Sequence, residues 1–283
     1  MNARRALCIS REGGSCAAVD EALAGSGISV EHAHELPAVH EDRTDLALVV
    51  VDRAARVAAG EALRAIPVPV VVVGADLDDD GLIALMLEAP VSHLVEDPRH
   101  RDLAVTSAKL ATGDVFGLEK YVAGAAAVQE RVVRDDTGKR RAMEEVCAWA
   151  ESVGARRPVV HRIASVVDEL LMNALHAGER SVVLRWASDD ATLAISVGDA
   201  FGSLSQRDII AHVRRARDER GRPQPASDGG AGLGLYLVLA NVAGLVVNVE
   251  PGRQTEVVCL FDLARGKPAA AGVRSLHVFA ASG

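Results

Sequence analysis

Residues 166–178 read VVDELLMNALHAG. Val166, Leu170 and Ala174 recur at i, i+4, so the stretch predicts an amphipathic helix with Glu169 and Asn173 on one face. A carboxylate and a carboxamide one turn apart suit a site for a metal and a phosphate. The Asn oxygen can ligate Mg²⁺, and the Glu can orient a water or hydroxyl beside it. His176 follows one turn later along the same side, where it could meet a phosphate oxygen. By itself such a pair also describes an ordinary solvated helix face.

A second stretch narrows the choice. Residues 229–244, GGAGLGLYLVLANVAG, place glycines ahead of a helix expected to begin near Leu233 and run through Val242. A Gly-rich loop feeding a helix N-terminus offers backbone N–H groups to an anion. Between the two lies TLAISVGDAFGS (residues 192–203). It predicts an alternating strand with Leu193, Ile195 and Val197 on one side, ending at Asp199 and followed by Gly202. A buried Asp at a strand end can accept a hydrogen bond from an exocyclic amine such as that of adenine.

The order of these pieces, closed by a last strand carrying Thr255 (GRQTEVVCLFDL, residues 252–263), resembles the GHKL ATPase family. That family includes histidine kinases, gyrase-type ATPases, Hsp90 chaperones and anti-sigma-factor serine kinases. The resemblance covers residues 121–263. The preceding helix–turn–helix reading of residues 138–178 looks like the anti-sigma-factor kinase arrangement. The resemblance implies an α+β Bergerat-type ATP-binding sandwich that takes ATP and Mg²⁺. It assigns Glu169 as general base and Asn173 as Mg²⁺ ligand, with His176 a phosphate contact. It places Asp199 on the adenine amine and Thr255 near the base, makes Gly202 a lid hinge, and lays Gly230, Gly232 and Gly234 along the phosphates. One departure bears on turnover: the usual Asp-x-Gly-x-Gly is here Asp199-Ala-Phe-Gly-Ser, with Phe201 and Ser203 where glycines are expected. Residues 203–229 resemble a nucleotide lid, and its Arg214, Arg215, Arg217, Arg220 and Arg222 could reach a γ-phosphate or form a solvated helix face.

The N-terminal half alternates differently. RALCIS, ISVEHA, LALVVVD, VPVVVVGAD and SHLVED read as five strands. Helices are expected over Ser15–Ala24, Arg53–Ala65 and GLIALMLEA (residues 81–89). Such alternation predicts an α/β fold with a parallel sheet covered on both sides. It resembles the flavodoxin-like response-regulator receiver, with Asp52 at the phosphoacceptor position. The rest of the receiver chemistry is missing. Ser10-Arg11-Glu12 replaces the acidic pair, Gly74 or Ala75 the hydroxyl, and Glu96 or Asp97 the lysine. A phosphoryl group on Asp52 would lack its cation, so the resemblance is to a pseudo-receiver. The expected division is 1–103 pseudo-receiver, 104–120 connector, 121–263 ATP-binding domain and 264–283 a peripheral tail, in which LHVF could add an edge strand.

Composition bounds the partners. The 283 residues suffice for two cores, and aromatics at 3% leave those cores to Val, Leu and Ala. A net charge of −8 argues against a nucleic-acid surface. The chain shows neither an apolar run of membrane-span length nor a basic start followed by an apolar core, so a cytoplasmic location is expected. Cys8, Cys16, Cys147 and Cys259 lack C-x-x-C spacing and read as core residues or free thiols. Asp76, Asp78, Asp80 and Gly81 imitate an EF-hand start, but its twelfth position is Leu87. His32, His34 and His40 have no completing Cys or carboxylate cluster in the sequence and read as surface residues. The expected protein is a signalling ATP-binder. It acts as a serine/threonine kinase-like or anti-sigma-like regulator of an anti-anti-sigma-like or other protein partner, as a monomer or a homodimer. The alternative is a non-catalytic, nucleotide-dependent interaction module. A histidine kinase is disfavoured, because His161 falls inside the ATP-binding half and no dimerisation hairpin precedes it.

Overall fold

Leu46–Asp52 is the strand on which the first half is built: Leu48, Val49, Val50 and Val51 are buried on both faces of it. A parallel sheet covered by helices on both sides gives so continuous an apolar run a place. A computed structural model describes residues 4–11, 14–37, 45–75, 79–87, 91–97, 101–124, 127–176, 181–220, 234–263 and 273–280. The chain is mixed α/β, with eight α-helices and eleven strands among the described residues. It divides into two units, Met1–Val115 with Arg274–His277, and Phe116–Val273 with Val278–Gly283.

In the first unit the elements run β1 (Arg5–Ile9), α1 (Gly14–Leu23), β2 (Ser29–Ala33), β3 (Leu46–Asp52), α2 (Arg53–Ala59), β4 (Val70–Val73), α3 (Asp79–Leu87), β5 (Val91–Val95) and α4 (Arg101–Thr112). The strands lie parallel in the order β2-β1-β3-β4-β5. Two details depart from expectation. The helix expected over Arg53–Ala65 stops at Ala59, because Gly60 turns to φ +51° and the chain continues as a 3₁₀ turn, Gly60–Ala65. Much of the stretch expected as a connector is α4, whose Leu103, Thr106 and Ala111 are buried and which packs on α1, β3 and β5. The helix ends where Gly113 takes φ +77°.

Both oxygens of the Asp52 carboxylate accept from backbone N–H groups. Oδ1 accepts from the Ala55 N–H at 2.7 Å, capping α2, and Oδ2 accepts from the Arg11 N–H at 3.0 Å. Glu96 and Asp97 are exposed beyond the end of β5. Asp52→Ala is expected to cost about 2 kcal/mol, since it orphans two N–H groups, and Asp52→Asn distinctly less. Urea denaturation midpoints measure both. Acetyl phosphate should leave the intact mass unchanged; stoichiometric gain of a phosphoryl group would overturn the structural reading of Asp52.

Ser275–His277, the start of β11 (Ser275–Ala280), pairs antiparallel with β5. Leu276, His277 and Phe279 are buried, so this part of the tail is interior rather than peripheral. The His277 ring stacks on His93 at 5.7 Å between centroids. Burial holds the His93 imidazole well below its ordinary pKa, and the neighbouring His277 and Lys109 push the same way.

The second unit holds β6 (Gln129–Val133), α5 (Asp136–Ser152), α6 (Arg157–His176), β7 (Val182–Ser188), β8 (Thr192–Asp199), α7 (Gln206–Arg220), α8 (Gly234–Asn241), β9 (Gly244–Glu250) and β10 (Gln254–Asp262). These strands are antiparallel in the order β9-β10-β8-β7-β6. β6 is short: a 3₁₀ turn, Leu118–Tyr121, comes first and Gly124 bends the chain at φ +76°. α6 buries Ile163, Val166, Val167, Leu170, Leu171 and Ala174, the spacing of a single helical face. α5 answers with Ala142, Val146 and Ala150, and Trp149 meets Trp186 of β7 edge to face at 6.5 Å. Fully burying each such aliphatic side chain contributes about 1.5–3 kcal/mol, so this stripe fixes how α6 presents its polar face.

Candidate functional site

That polar face carries Glu169 and Asn173. With Leu170 and Ala174 buried beneath, the residues one position earlier project from the flank of α6. Glu169 is half-buried and Asn173 exposed. The Asn173 Nδ2 donates to Glu169 Oε1 at 3.0 Å, which leaves the carboxamide oxygen for another ligand. Lys139 of α5 reaches Asp168 at 2.7 Å and ties the two helices together beside the pair.

Gly234 is the first residue of α8 and is buried. A Cβ there would fall 1.6 Å from Glu169 Oε1 and 2.3 Å from its Cδ. The absence of a side chain is therefore what lets the first turn of α8 close against the carboxylate on α6. Two stretches far apart in the chain are thereby brought together, and the first turn of α8 lies at an oxygen-rich pair. Gly230 and Gly232 lie outside the described residues, as does Arg222. His176 is the last residue of α6.

Asp199 and Thr255 form a second group. They are register partners on β8 and β10, so their side chains share a face of the sheet, and α6 packs on β8. Asp199 Oδ1 accepts from the Phe201 N–H at 3.0 Å. Thr255 is buried, and its hydroxyl has no hydrogen-bond partner among the described residues. A buried hydroxyl without a partner is costly in isolation, and a polar ligand reaching that face would relieve it.

Gly202 is fixed by a different contact. It takes φ +62°, and a Cβ would lie 2.0 Å from the Glu250 carbonyl oxygen. Its own carbonyl accepts from the Gly252 N–H at 3.3 Å. This packing on the β9–β10 turn requires glycine whether or not a lid moves. The Arg-rich stretch begins as helix α7, started by a reciprocal cap in which the Ser205 N–H donates to Asp208 at 2.7 Å. Ile209 and Ile210 of α7 are buried and Arg214 is exposed.

The donor set, a carboxylate and a carboxamide oxygen, fits a hard cation such as Mg²⁺ with its phosphate ligands, and the orphaned Thr255 hydroxyl fits a polar ring edge. A cavity of about 480 Å³ is elsewhere, in the first unit, lined by Arg11, His34, Glu35 and the alanines of α2 and the following 3₁₀ turn. One grouping escaped the sequence. Cys8 of β1, Cys16 of α1 and His32 of β2 present donor atoms within 4.8 Å of one another, and Asp20 joins them through His32. The reading of His32 as a histidine without a cluster is corrected accordingly: strand pairing and the return of α1 supply the cysteines.

No protein-family model matches the chain. No curated protein matches it with significance. Among solved structures, the chain is similar to "The crystal structure of SiaB-SiaC complex from Pseudomonas aeruginosa", at 12% identity and a TM-score of 0.34, over 48% of this chain and 88% of that one. A likeness of that score carries no argument about this chain. No helix among the described residues is long and apolar enough to cross a membrane.

Proposed function

We propose that the second unit is a GHKL-type, Bergerat-like ATP-binding domain. In this reading the first unit is a flavodoxin-like pseudo-receiver and the chain is a cytoplasmic regulator that phosphorylates a serine or threonine of an anti-anti-sigma-like protein partner. The observation that carries the reading is the seat of Gly234 on Glu169. It sets the first turn of α8 against the helix face that bears both Glu169 and Asn173, and a nucleotide phosphate needs both N–H donors for its oxygens and an oxygen ligand for its cation.

Each residue then has a task. Asn173 offers its carboxamide oxygen to Mg²⁺, which when bound neutralises phosphate charge. Its amide hydrogen bond to Glu169 holds both side chains in place. Glu169 accepts the proton of the attacking hydroxyl. Asp199 accepts from the adenine amine, and Thr255 bonds the ring edge beside it. Gly230 and Gly232 follow the phosphates, and His176 meets a phosphate oxygen.

A non-catalytic, nucleotide-dependent interaction module is the second reading. Phe201 and Ser203 in place of lid glycines favour it, as does the tight seat of Gly202 between them, because they stiffen a segment that must move for turnover.

Thermal denaturation with Mg²⁺-ATP tests the site. At a hundredfold excess over Kd the wild type should gain about 2.7 kcal/mol, read as a rise of several degrees, and Asn173→Ala should lose most of it. Equal shifts in the two proteins would remove the site assignment. Transfer of radiolabel from ATP to a partner separates the two readings. Glu169→Ala should abolish labelling and keep binding; labelling that survives would end the kinase reading.

A further inference from the structure

The first unit carries a grouping that the nucleotide reading does not use. Cys8 and His32 are register partners on adjacent parallel strands, so their side chains rise from the same face of the sheet. Helix α1 packs on both strands and brings Cys16, with Asp20 one turn later, down onto that face. The Cys8 and Cys16 Sγ atoms are 3.8 Å apart. His32 Nε2 lies 2.9 and 3.0 Å from the two oxygens of Asp20. Cys8 is buried, Cys16 is half-buried and His32 is exposed, so the cluster has a floor and an open side.

We propose that Cys8, Cys16 and His32 form a binding site for a thiolate-preferring divalent metal, Zn²⁺ by its chemistry, with Asp20 as the group that positions the imidazole. Two thiolates held at about 2.3 Å from one tetrahedral ion stand about 3.8 Å apart, which is the separation found here without any movement of the chain. A carboxylate on a ligating histidine is the usual outer partner of such an ion. It also adds negative charge beside two sulfurs that the cation must hold as thiolates.

The competing chemistry is a disulfide, for which the sulfurs would have to approach to about 2.05 Å. At 3.8 Å the two sulfurs are in contact but unbonded. A soft cation is the partner that draws the sulfur into the ionised form, releasing one proton from each thiol to solvent without any change of oxidation state.

Cobalt titration of the 283-residue chain is the test, on protein reduced with a phosphine, stripped of metal by chelation and free of nucleotide. A thiolate-to-Co²⁺ charge-transfer band should grow, saturate at one ion per chain and bleach when Zn²⁺ is added. Cys16→Ser should abolish the band, and Asp20→Asn should weaken binding by about 10- to 100-fold. The Cys147→Ser, Cys259→Ser double variant should keep it. Absence of the band in the wild type overturns the proposal, as does its survival in Cys16→Ser. So would a Cys8–Cys16 disulfide in unreduced protein whose reduced form takes up no cobalt. Because oxygen ligands give no such band, failure here leaves the nucleotide reading untouched.

Discussion

Gly202→Ala is expected to destabilise the second unit by about 3 kcal/mol. Two costs add. The φ of +62° is a region that a Cβ penalises by about 1–2 kcal/mol. The remainder is steric: the new methyl would meet the Glu250 carbonyl oxygen at 2.0 Å, the Gly252 nitrogen at 2.8 Å and the Arg253 nitrogen at 2.9 Å. All three are backbone atoms of one turn, so no side chain can swing aside. The turn itself must shift, and the Gly252 to Gly202 hydrogen bond goes with it. Gly25→Ala is the control, since its φ of +79° is similar and nothing lies within 4 Å of its Cβ. It should cost about 1 kcal/mol, the conformational share alone. Denaturant midpoints of the two variants measure the difference. Equal losses would mean that the β9–β10 turn gives way freely and that Gly202 is not held by packing.

The parallel half of the fold was legible because burial on both faces leaves a plain mark: LALVVVD was bounded as a strand residue for residue, from Leu46 to Asp52. The helices were harder where a single glycine decides. Nothing in RAARVAAGEALRA says that Gly60 will leave the helical region, since alanines on either side favour continuing it. The tail was half legible: LHVF suggested the added strand that Ser275–Ala280 forms, but not its burial. Its Ala- and Gly-rich approach, residues 264–272, reads as peripheral, yet Leu276, His277 and Phe279 just beyond it are buried. Only the pairing of this strand with β5 reveals why.

The candidate site divides along the same line. Glu169 and Asn173 share a helix, so four-residue spacing sufficed to pair them, and the hydrogen bond between them is local. The contact of Gly234 with Glu169 joins two helices, and it is written in the sequence merely as a missing side chain. Asp199 and Thr255 meet through antiparallel register, which a sequence leaves open. The Cys8, Cys16 and His32 grouping needed both register and a returning helix. One signal was available: Cys8 and His32 are each the fourth residue of a five-residue strand, RALCI and SVEHA. Adjacent parallel strands paired end to end must set such residues side by side, and the register does pair them.

Glu256→Ala is expected to cost about 3 kcal/mol, by a mechanism unlike that of Gly202. Thr255 and Glu256 are neighbours on β10 and so point to opposite faces. On its face, the buried Glu256 carboxylate accepts at Oε2 from the Gly117 N–H at 2.9 Å and from Asn248 Nδ2 at 2.9 Å. Gly117 begins the segment that forms the 3₁₀ turn over β7 and β8, and Asn248 faces Glu256 in the β9–β10 register. Truncation therefore strips an acceptor from two buried donors at once and loosens the segment at the entrance to the unit. Glu256→Gln keeps one oxygen in place and should lose about 1 kcal/mol, the difference between a charged and a neutral acceptor. In a double-mutant cycle with Asn248→Ala, the two losses should fall short of additivity by at least about 0.5 kcal/mol, because the second truncation removes a donor already abandoned by the first. Denaturation midpoints of the four proteins give the coupling. Strict additivity, or a Glu256→Ala protein within experimental error of the wild type, would show that water takes over the carboxylate's role and that the strand face is wetter than its burial implies.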